Sequence, residues 1–158
     1  LAVHIRLLAV GERKPSWVDA AFGENTVRFP RECKFRHHVK PTPRRNKKDK
    51  SLKAMAAEGD LIHSKLGESE QVVLLDEHGK QFNSKALAGK VSDWQSDGRD
   101  LCFVIGGPDG IADNCKRRAE FTWSLSQLTL PHGLARVLFA EQLYRAHSLH
   151  MGHPYHRA

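Results

Sequence analysis

The spacing of hydrophobic residues along the chain switches repeatedly between a period of two and a period near 3.6. His4 to Val10 is strand-like, and Lys14-Pro15-Ser16 then opens a helix, with Ser16 and Asp19 at capping-box spacing. That helix sets Val18, Phe22 and Phe29 on one face and stops at Pro30. In CKFRHHVK, Cys33, Phe35, His37 and Val39 alternate with Lys34, Arg36, His38 and Lys40, which predicts a half-buried strand. Leu52, Met55, Ala56, Gly59, Ile62, His63 and Leu66 trace a helical stripe. There follow a strand at 72–75 (VVLL), a helix from Ser84 carrying Leu87, Val91 and Trp94, and a strand at 101–105 (LCFVI). A short helix near Asn114 to Glu120 leads to a strand at 121–125 and a last helix from Gly133 to His150. Strands alternating with helices predict an α/β fold, a mostly parallel sheet flanked by helices, with residues 1–158 forming a single domain.

Ligands of such folds bind beyond the carboxyl ends of the strands, so the loops after the later strands are where chemistry is expected. In LLDEHGK, Asp76, Glu77 and His78 read chiefly as a charged turn leaving a buried strand. In IGGPDG, adjacent glycines from Gly106 onward let a ligand approach the backbone, yet the spacing matches neither the dinucleotide fingerprint nor a P-loop. A tight turn and a ligand loop stand level there. SLSQLTLPHG, Ser124 to Gly133, interleaves Leu125, Leu128 and Leu130 with hydroxyls and an amide, and Pro131 stops it from continuing a central strand. A greasy wall with backbone polar groups suits an uncharged, mostly apolar ligand such as an adenine ring.

Composition adds a direction. Lys plus Arg number 25 against 18 Asp plus Glu, with a pI near 9.5, a surplus that favours polyanionic partners. Six basic residues crowd Pro41 to Lys53, among them Arg44, Arg45, Lys47 and Lys48, where a solvated loop and an RNA contact are equally good readings. The apolar runs are too short to span a bilayer, and His4 and Arg6 interrupt the first one, unlike the core of a secretory signal. The three cysteines, Cys33, Cys102 and Cys115, show no CxxC spacing and read as free thiols, which predicts a cytoplasmic protein.

IGGPDG, WSLSQLTLPHGLARVLFAEQLYRA and HPYHR, in that order, closely resemble the RlmH family of SPOUT-class methyltransferases. LAVGERKPSWV, RFPREC, LLDEHGK and DGRDLCFVIGG extend the resemblance over essentially the whole chain. It implies a C-terminal trefoil knot, a homodimer, S-adenosyl-L-methionine as methyl donor, and methylation of the N-3 of a pseudouridine in large-subunit (23S) ribosomal RNA within the assembled ribosome. It further implies a cofactor pocket from Leu75, Gly106 and the loop of Ser126, Gln127, Leu128, Thr129, Leu130 and Pro131. The chain departs from the family at Asn25, where a tyrosine is common, and at Ala158, where an acid is usual.

Methyl transfer to N-3 requires loss of its proton, which a nearby base or a cation facing the developing anion assists. Arg145 is the candidate cation or phosphate clamp, His156 the candidate base with His153 as second option, Tyr155 the stacking or hydrogen-bonding group, and Arg157 a phosphate contact. Simpler readings compete. Glu141 and Arg145 at i,i+4 also make an ordinary helix-stabilising pair. In the last helix, Ala135, Leu138, Phe139, Leu143 and Ala146 form an apolar face widened by Leu134, Val137 and Tyr144, which reads as core or as a dimer seam. His147, His150, His153 and His156 recur every third residue, but Pro154 breaks the helix and no carboxylate or thiolate completes a zinc site, so no metal is expected. A non-catalytic RNA-binding protein of ribosome maturation is the main alternative, predicting RNA affinity without cofactor affinity, and a His-rich metal-binding protein is a lesser one.

Overall fold

The computed structural model describes residues 3–10, 16–30, 33, 35–40, 51–106 and 110–157, with side chains described at all of these except 10, 35–40, 51, 52, 54, 156 and 157. Five strands, β1 (Ile5–Val10), β2 (Phe35–Lys40), β3 (Gln71–Lys80), β4 (Leu101–Ile105) and β5 (Phe121–Trp123), form one parallel sheet in the order β2-β1-β4-β3-β5. Between and after them run α1 (Ser16–Thr26), α2 (Ser51–Lys65), α3 (Ser84–Ser96), α4 (Asp113–Arg118) and α5 (His132–Met151), with a 3-10 turn at Pro154–Arg157.

β4 and residues 72–75 of β3 are apolar throughout because both faces of the sheet are covered there. Leu101, Phe103 and Ile105 join Ile5, Leu7, Val73, Leu75 and Trp123 in the larger core, against Phe22 of α1, Leu87, Val91 and Trp94 of α3, and Phe139 and Leu143 of α5. Cys102 and Val104 point the other way, joining Leu8, Val72 and Leu74 in the smaller core with Ile62 of α2 and Cys115 of α4. Accordingly α1 and α3 both pack on α5, and α2 packs on α4. β4 therefore leaves toward the opposite layer from both its neighbours, β1 and β3. Such a reversal opens a crevice at the carboxyl end of the odd strand, here at Gly106.

The opposite edge of the sheet is closed by ion pairs. Arg6 donates from Nε and Nη2 to the two carboxylate oxygens of Glu70 (2.8 and 2.6 Å) and also to the Lys65 carbonyl (2.6 Å). Arg99 spans both oxygens of Glu120 (2.7 and 2.8 Å), and Arg118 Nη2 donates to the carbonyls of Gly67 and Glu70. Strand entries are thus pinned, while strand exits carry the loops.

Several sequence expectations are corrected. β3 does not end at Leu75 but runs to Lys80, because its far end finds a second partner: Lys80 aligns with Trp123 after a register shift, and the Ser124 N–H donates to the Lys80 carbonyl (2.9 Å). The Asp76-Glu77-His78 stretch is therefore strand, not turn. β5 is shorter than expected, ending at Trp123. α1 ends at Thr26, so Phe29 is buried from the following turn, and Asn25 satisfies its amide locally on the Ala21 carbonyl (2.9 Å). On α2, Gly59 and Ile62 of the expected stripe are buried, but Ala56 and His63 are exposed and Glu58 is buried instead. A side chain at 59 would collide with Ala112, so α4 sets which face of α2 turns inward. The same rotation affects α5: Arg136, Phe139, Ala140, Leu143, Tyr144, Ala146 and Ser148 are buried, Ala135 and Leu138 only half-buried, and Leu134 exposed.

Candidate functional site

The parallel register gathers three sequence-distant pieces at one edge of the sheet. Leu75 aligns with Ile105 on one side and with Trp123 on the other, so Leu75, Gly106 and the segment after Trp123 emerge together. Gly106 is tightly enclosed: a Cβ there would meet Ile111 Cγ1 at 2.6 Å and the Gly110 carbonyl oxygen at 2.8 Å. Only glycine fits that approach, with Gly110 itself at φ +98°. The Gly106 carbonyl accepts a short hydrogen bond from the His132 Nε2–H at the start of α5, fastening β4 to the loop's end.

The loop before α5 is shaped by its own hydroxyls. Ser124 Oγ donates to the Ser126 carbonyl (2.9 Å), Ser126 Oγ accepts from the Leu128 N–H (2.9 Å), and Thr129 Oγ1 donates to Glu77 Oε2 (2.8 Å). Gln127, Leu128, Thr129 and Pro131 are exposed, Leu128 by 73%, while Ser126 and Leu130 are half-buried. An exposed leucine held on a stiffened loop, next to amide and hydroxyl groups and without a charged residue in 126–131, fits an adenine-like ring far better than a polyanion.

A second cluster lies at the other end of α5. Gly152, left-handed at φ +70°, ends the helix: its N–H donates to the Leu149 carbonyl (3.3 Å) and the His153 N–H to the Ser148 carbonyl (2.9 Å). The following 3-10 turn folds back on the helix. Glu141 Oε1 accepts from Arg145 Nε and Nη2 (3.0 and 2.7 Å) and from the Tyr155 hydroxyl (3.1 Å), and Gln142 donates to Glu141 Oε2 (2.6 Å). The Tyr155 ring lies 4.8 Å from that of Tyr144, edge to face, with the guanidinium carbons of Arg145 and Arg28 at 5.1 and 5.3 Å from its centre. Burial, the hydrogen bond to Glu141 and the Glu141 charge all push the Tyr155 hydroxyl up, so it stays protonated and acts as a donor. His153 Nδ1 accepts the Tyr155 backbone N–H (3.2 Å), which makes it a cap of the turn.

Arg145, Tyr155 and His153 are thus brought together, and Leu75, Gly106 and the 126–131 loop likewise, but the two groups are apart within one chain. Tyr155 reaches back only to Glu141, about nine residues and roughly 14 Å of helical rise beyond His132. The side chains of His156 and Arg157, and all of Arg44, Arg45, Lys47 and Lys48, lie outside the described residues. Among the described residues no group of three or more histidine, cysteine or acidic side chains could hold a metal, and no helix is long and apolar enough to cross a membrane. His147 instead lies 5.4 Å from the Phe29 ring, and burial, then the nearby His150 charge, lowers its pKa.

Four participants escaped the sequence reading in these roles: Glu77, His132, Glu141 and Arg28. Glu141 was visible only as half of an i,i+4 pair. Glu77, His132 and Arg28 act through contacts across the chain that no local spacing encodes.

Known proteins similar to this chain point to one family. The family model described as "Predicted SPOUT methyltransferase" matches residues 3–156. Three similar proteins carry the name ribosomal RNA large subunit methyltransferase H. That of Thioalkalivibrio sulfidiphilus is 44% identical over 155 residues, covering 98% of this chain and 99% of its own. Those of Hahella chejuensis and Saccharophagus degradans are each 43% identical over 155 residues, covering 98% of this chain and 99% and 100% of theirs. An all-parallel α/β sheet with its loops gathered at one edge, matched from end to end, identifies the chain as a member of the SPOUT methyltransferase family.

Proposed function

We propose that the protein is an S-adenosyl-L-methionine-dependent methyltransferase acting on the N-3 of a pseudouridine in large-subunit ribosomal RNA, in the assembled ribosome and in the cytoplasm. The observation that carries this reading is the convergence of Leu75, Gly106 and the 126–131 loop at the crevice beside β4, in a chain whose full-length relatives are named as large-subunit ribosomal RNA methyltransferases. When bound, the cofactor supplies a sulfonium-activated methyl group, so the protein's task is chiefly placement. Leu128 and Leu130 would flank the adenine, the loop's backbone would bond its edge, and Gly106 would leave room for close approach.

The other half of the chemistry belongs to the C-terminal cluster. Arg145 would face the negative charge that develops as N-3 loses its proton, and His156 would take that proton. Tyr155, protonated and held by Glu141, would hydrogen-bond or stack against the base; Arg157 and the basic segment at Arg44, Arg45, Lys47 and Lys48 would hold phosphates. His153, whose Nδ1 is taken by the Tyr155 backbone N–H, is the second option for that base.

The separation of the two clusters supports a homodimer in which one chain's loop meets its partner's C-terminal turn. Trp17 (54% exposed) on α1 and Leu134 (44% exposed) near the start of α5, with half-buried Val137 and Leu138, supply apolar surface for such a seam. The residues 1–158 would act as one domain.

The deciding experiment is transfer of a labelled methyl group to ribosomes, free subunits and naked RNA in parallel. Labelling of the ribosome, lost when the target pseudouridine is replaced by uridine, is expected. RNA binding together with no calorimetric binding of S-adenosylmethionine at millimolar concentration would leave a non-catalytic RNA-binding protein instead.

A further inference from the structure

Arg28 sits in the turn after α1, far in sequence from the C-terminal segment yet in contact with it. Its guanidinium carbon is 5.3 Å from the centre of the Tyr155 ring and 5.8 Å from that of Tyr144. Phe29 beside it packs edge to face on Tyr144 at 5.7 Å, anchoring the turn against α5. Two guanidinium groups, those of Arg28 and Arg145, therefore share one aromatic ring.

Their charges are not equally compensated. Arg145 is bound to Glu141 through two nitrogens, and the same carboxylate also takes the Tyr155 hydroxyl and the Gln142 amide. Arg28 has one acidic partner among the described residues, Glu24, at 3.4 Å, itself 71% exposed and placed at i,i+4. Long, exposed pairs of this kind are weak and easily exchanged. Stacking against a tyrosine fixes the plane of a guanidinium while leaving its donor fork free, which is the preorganisation a bidentate phosphate contact needs.

We propose that Arg28 is a phosphate-binding residue of the RNA site, holding the backbone of the substrate beside the nucleotide served by Tyr155 and Arg145. The proposal rests on the reading of this protein as an RNA methyltransferase. It takes a backbone phosphate of RNA as ligand and assigns Arg28 no part in cofactor binding.

The test compares wild type with Arg28→Ala, Arg28→Lys and a control, Arg117→Ala, on exposed α4 in the opposite helical layer. Ribosomal RNA binding is measured across a salt series, beside calorimetric cofactor binding, thermal melting and methyl transfer. Arg28→Ala should weaken RNA binding and raise the RNA KM about tenfold, and lower the magnitude of the salt slope by about one. Cofactor affinity should be unchanged, Arg28→Lys should recover the salt slope, and Arg117→Ala should behave as wild type. A wild-type salt slope in Arg28→Ala, or a lowered slope that Arg28→Lys does not recover, overturns the proposal. If wild type binds RNA and shows the Arg28 effect yet transfers no methyl group, the activity is removed and the phosphate contact stands. If wild type binds no ribosomal RNA, both fall.

Discussion

The Tyr155 hydroxyl donates to Glu141 Oε1 across 3.1 Å, on the same oxygen that receives Arg145. One carboxylate, about a fifth exposed, therefore fixes both the Tyr155 hydroxyl and the Arg145 guanidinium beside it. A pair that looks in the sequence like routine helix stabilisation is the fastening of the C-terminal turn.

Replacing Glu141 by alanine should cut methyl transfer by about tenfold or more, since both groups lose their fixed geometry. S-adenosylmethionine affinity should not change, because the 126–131 loop proposed to hold it lies some 14 Å of helical rise away. Tyr155→Phe should remove one hydrogen bond, about 0.5–1.5 kcal/mol of stability by thermal melting. Equal loss of cofactor binding in Glu141→Ala would show that the two ends of α5 are not independent.

Removing residues 153–158 should leave a folded dimer that binds S-adenosylmethionine calorimetrically and transfers no methyl group. The fully buried residues of α5 end at Ser148, and Tyr155 packs on the core only from its edge, against Tyr144. Retained transfer would confine the C-terminal segment to a structural role.

Acid should weaken the fold through Glu70. Burial pushes its carboxyl up, but the Arg6 hydrogen bond, the Gly67 N–H and the Arg6 charge together outweigh this and hold it below the ordinary glutamate value. A folded pKa below the unfolded one gives stability that is fully present above the unfolded value, near 4.3, and is lost as pH falls through the folded value. Glu70→Gln should therefore be less stable than wild type at neutral pH, with the gap closing below about pH 4. A gap independent of pH would assign the loss to packing.

The three cysteines are free and should separate cleanly in reactivity. Burial pushes the Cys102 thiol up to about 12, and burial raises Cys115 as well. Cys33 is only half-buried, so a disulfide reagent at pH 8 should modify it in the folded protein and reach the other two only after unfolding. Rapid modification of all three would contradict the sealed smaller core.

Arg136 is fully buried on α5, and its three guanidinium nitrogens have no hydrogen-bond partner among the described residues. Burial lowers its pKa, offset only by the charge of Asp19. Desolvating a cation without an acceptor is costly, so Arg136→Met should raise the stability of the isolated chain by about 1–3 kcal/mol in denaturant melts. A loss of stability would show that an acceptor reaches it in solution.

Local sequence determined the kind and order of the elements. The runs 72–75 and 101–105 announce strands covered on both faces, and the stripe Leu87, Val91, Trp94 announces a helix with one face inward, because burial of a face leaves its period in the chain. The loop from Ser126 to Pro131 and the glycine at 106 could also be recognised, since turn chemistry is local. Strand order was decided by the tertiary structure, and with it the crevice at β4, because neighbours in the sheet are not neighbours in the chain. The extension of β3 to Lys80 needed β5 as a partner; the inward turn of Glu58 and Arg136 needed the helices packed against them. The separation of the 126–131 loop from the C-terminal turn follows from one quantity a motif does not carry: the length of α5 standing between them.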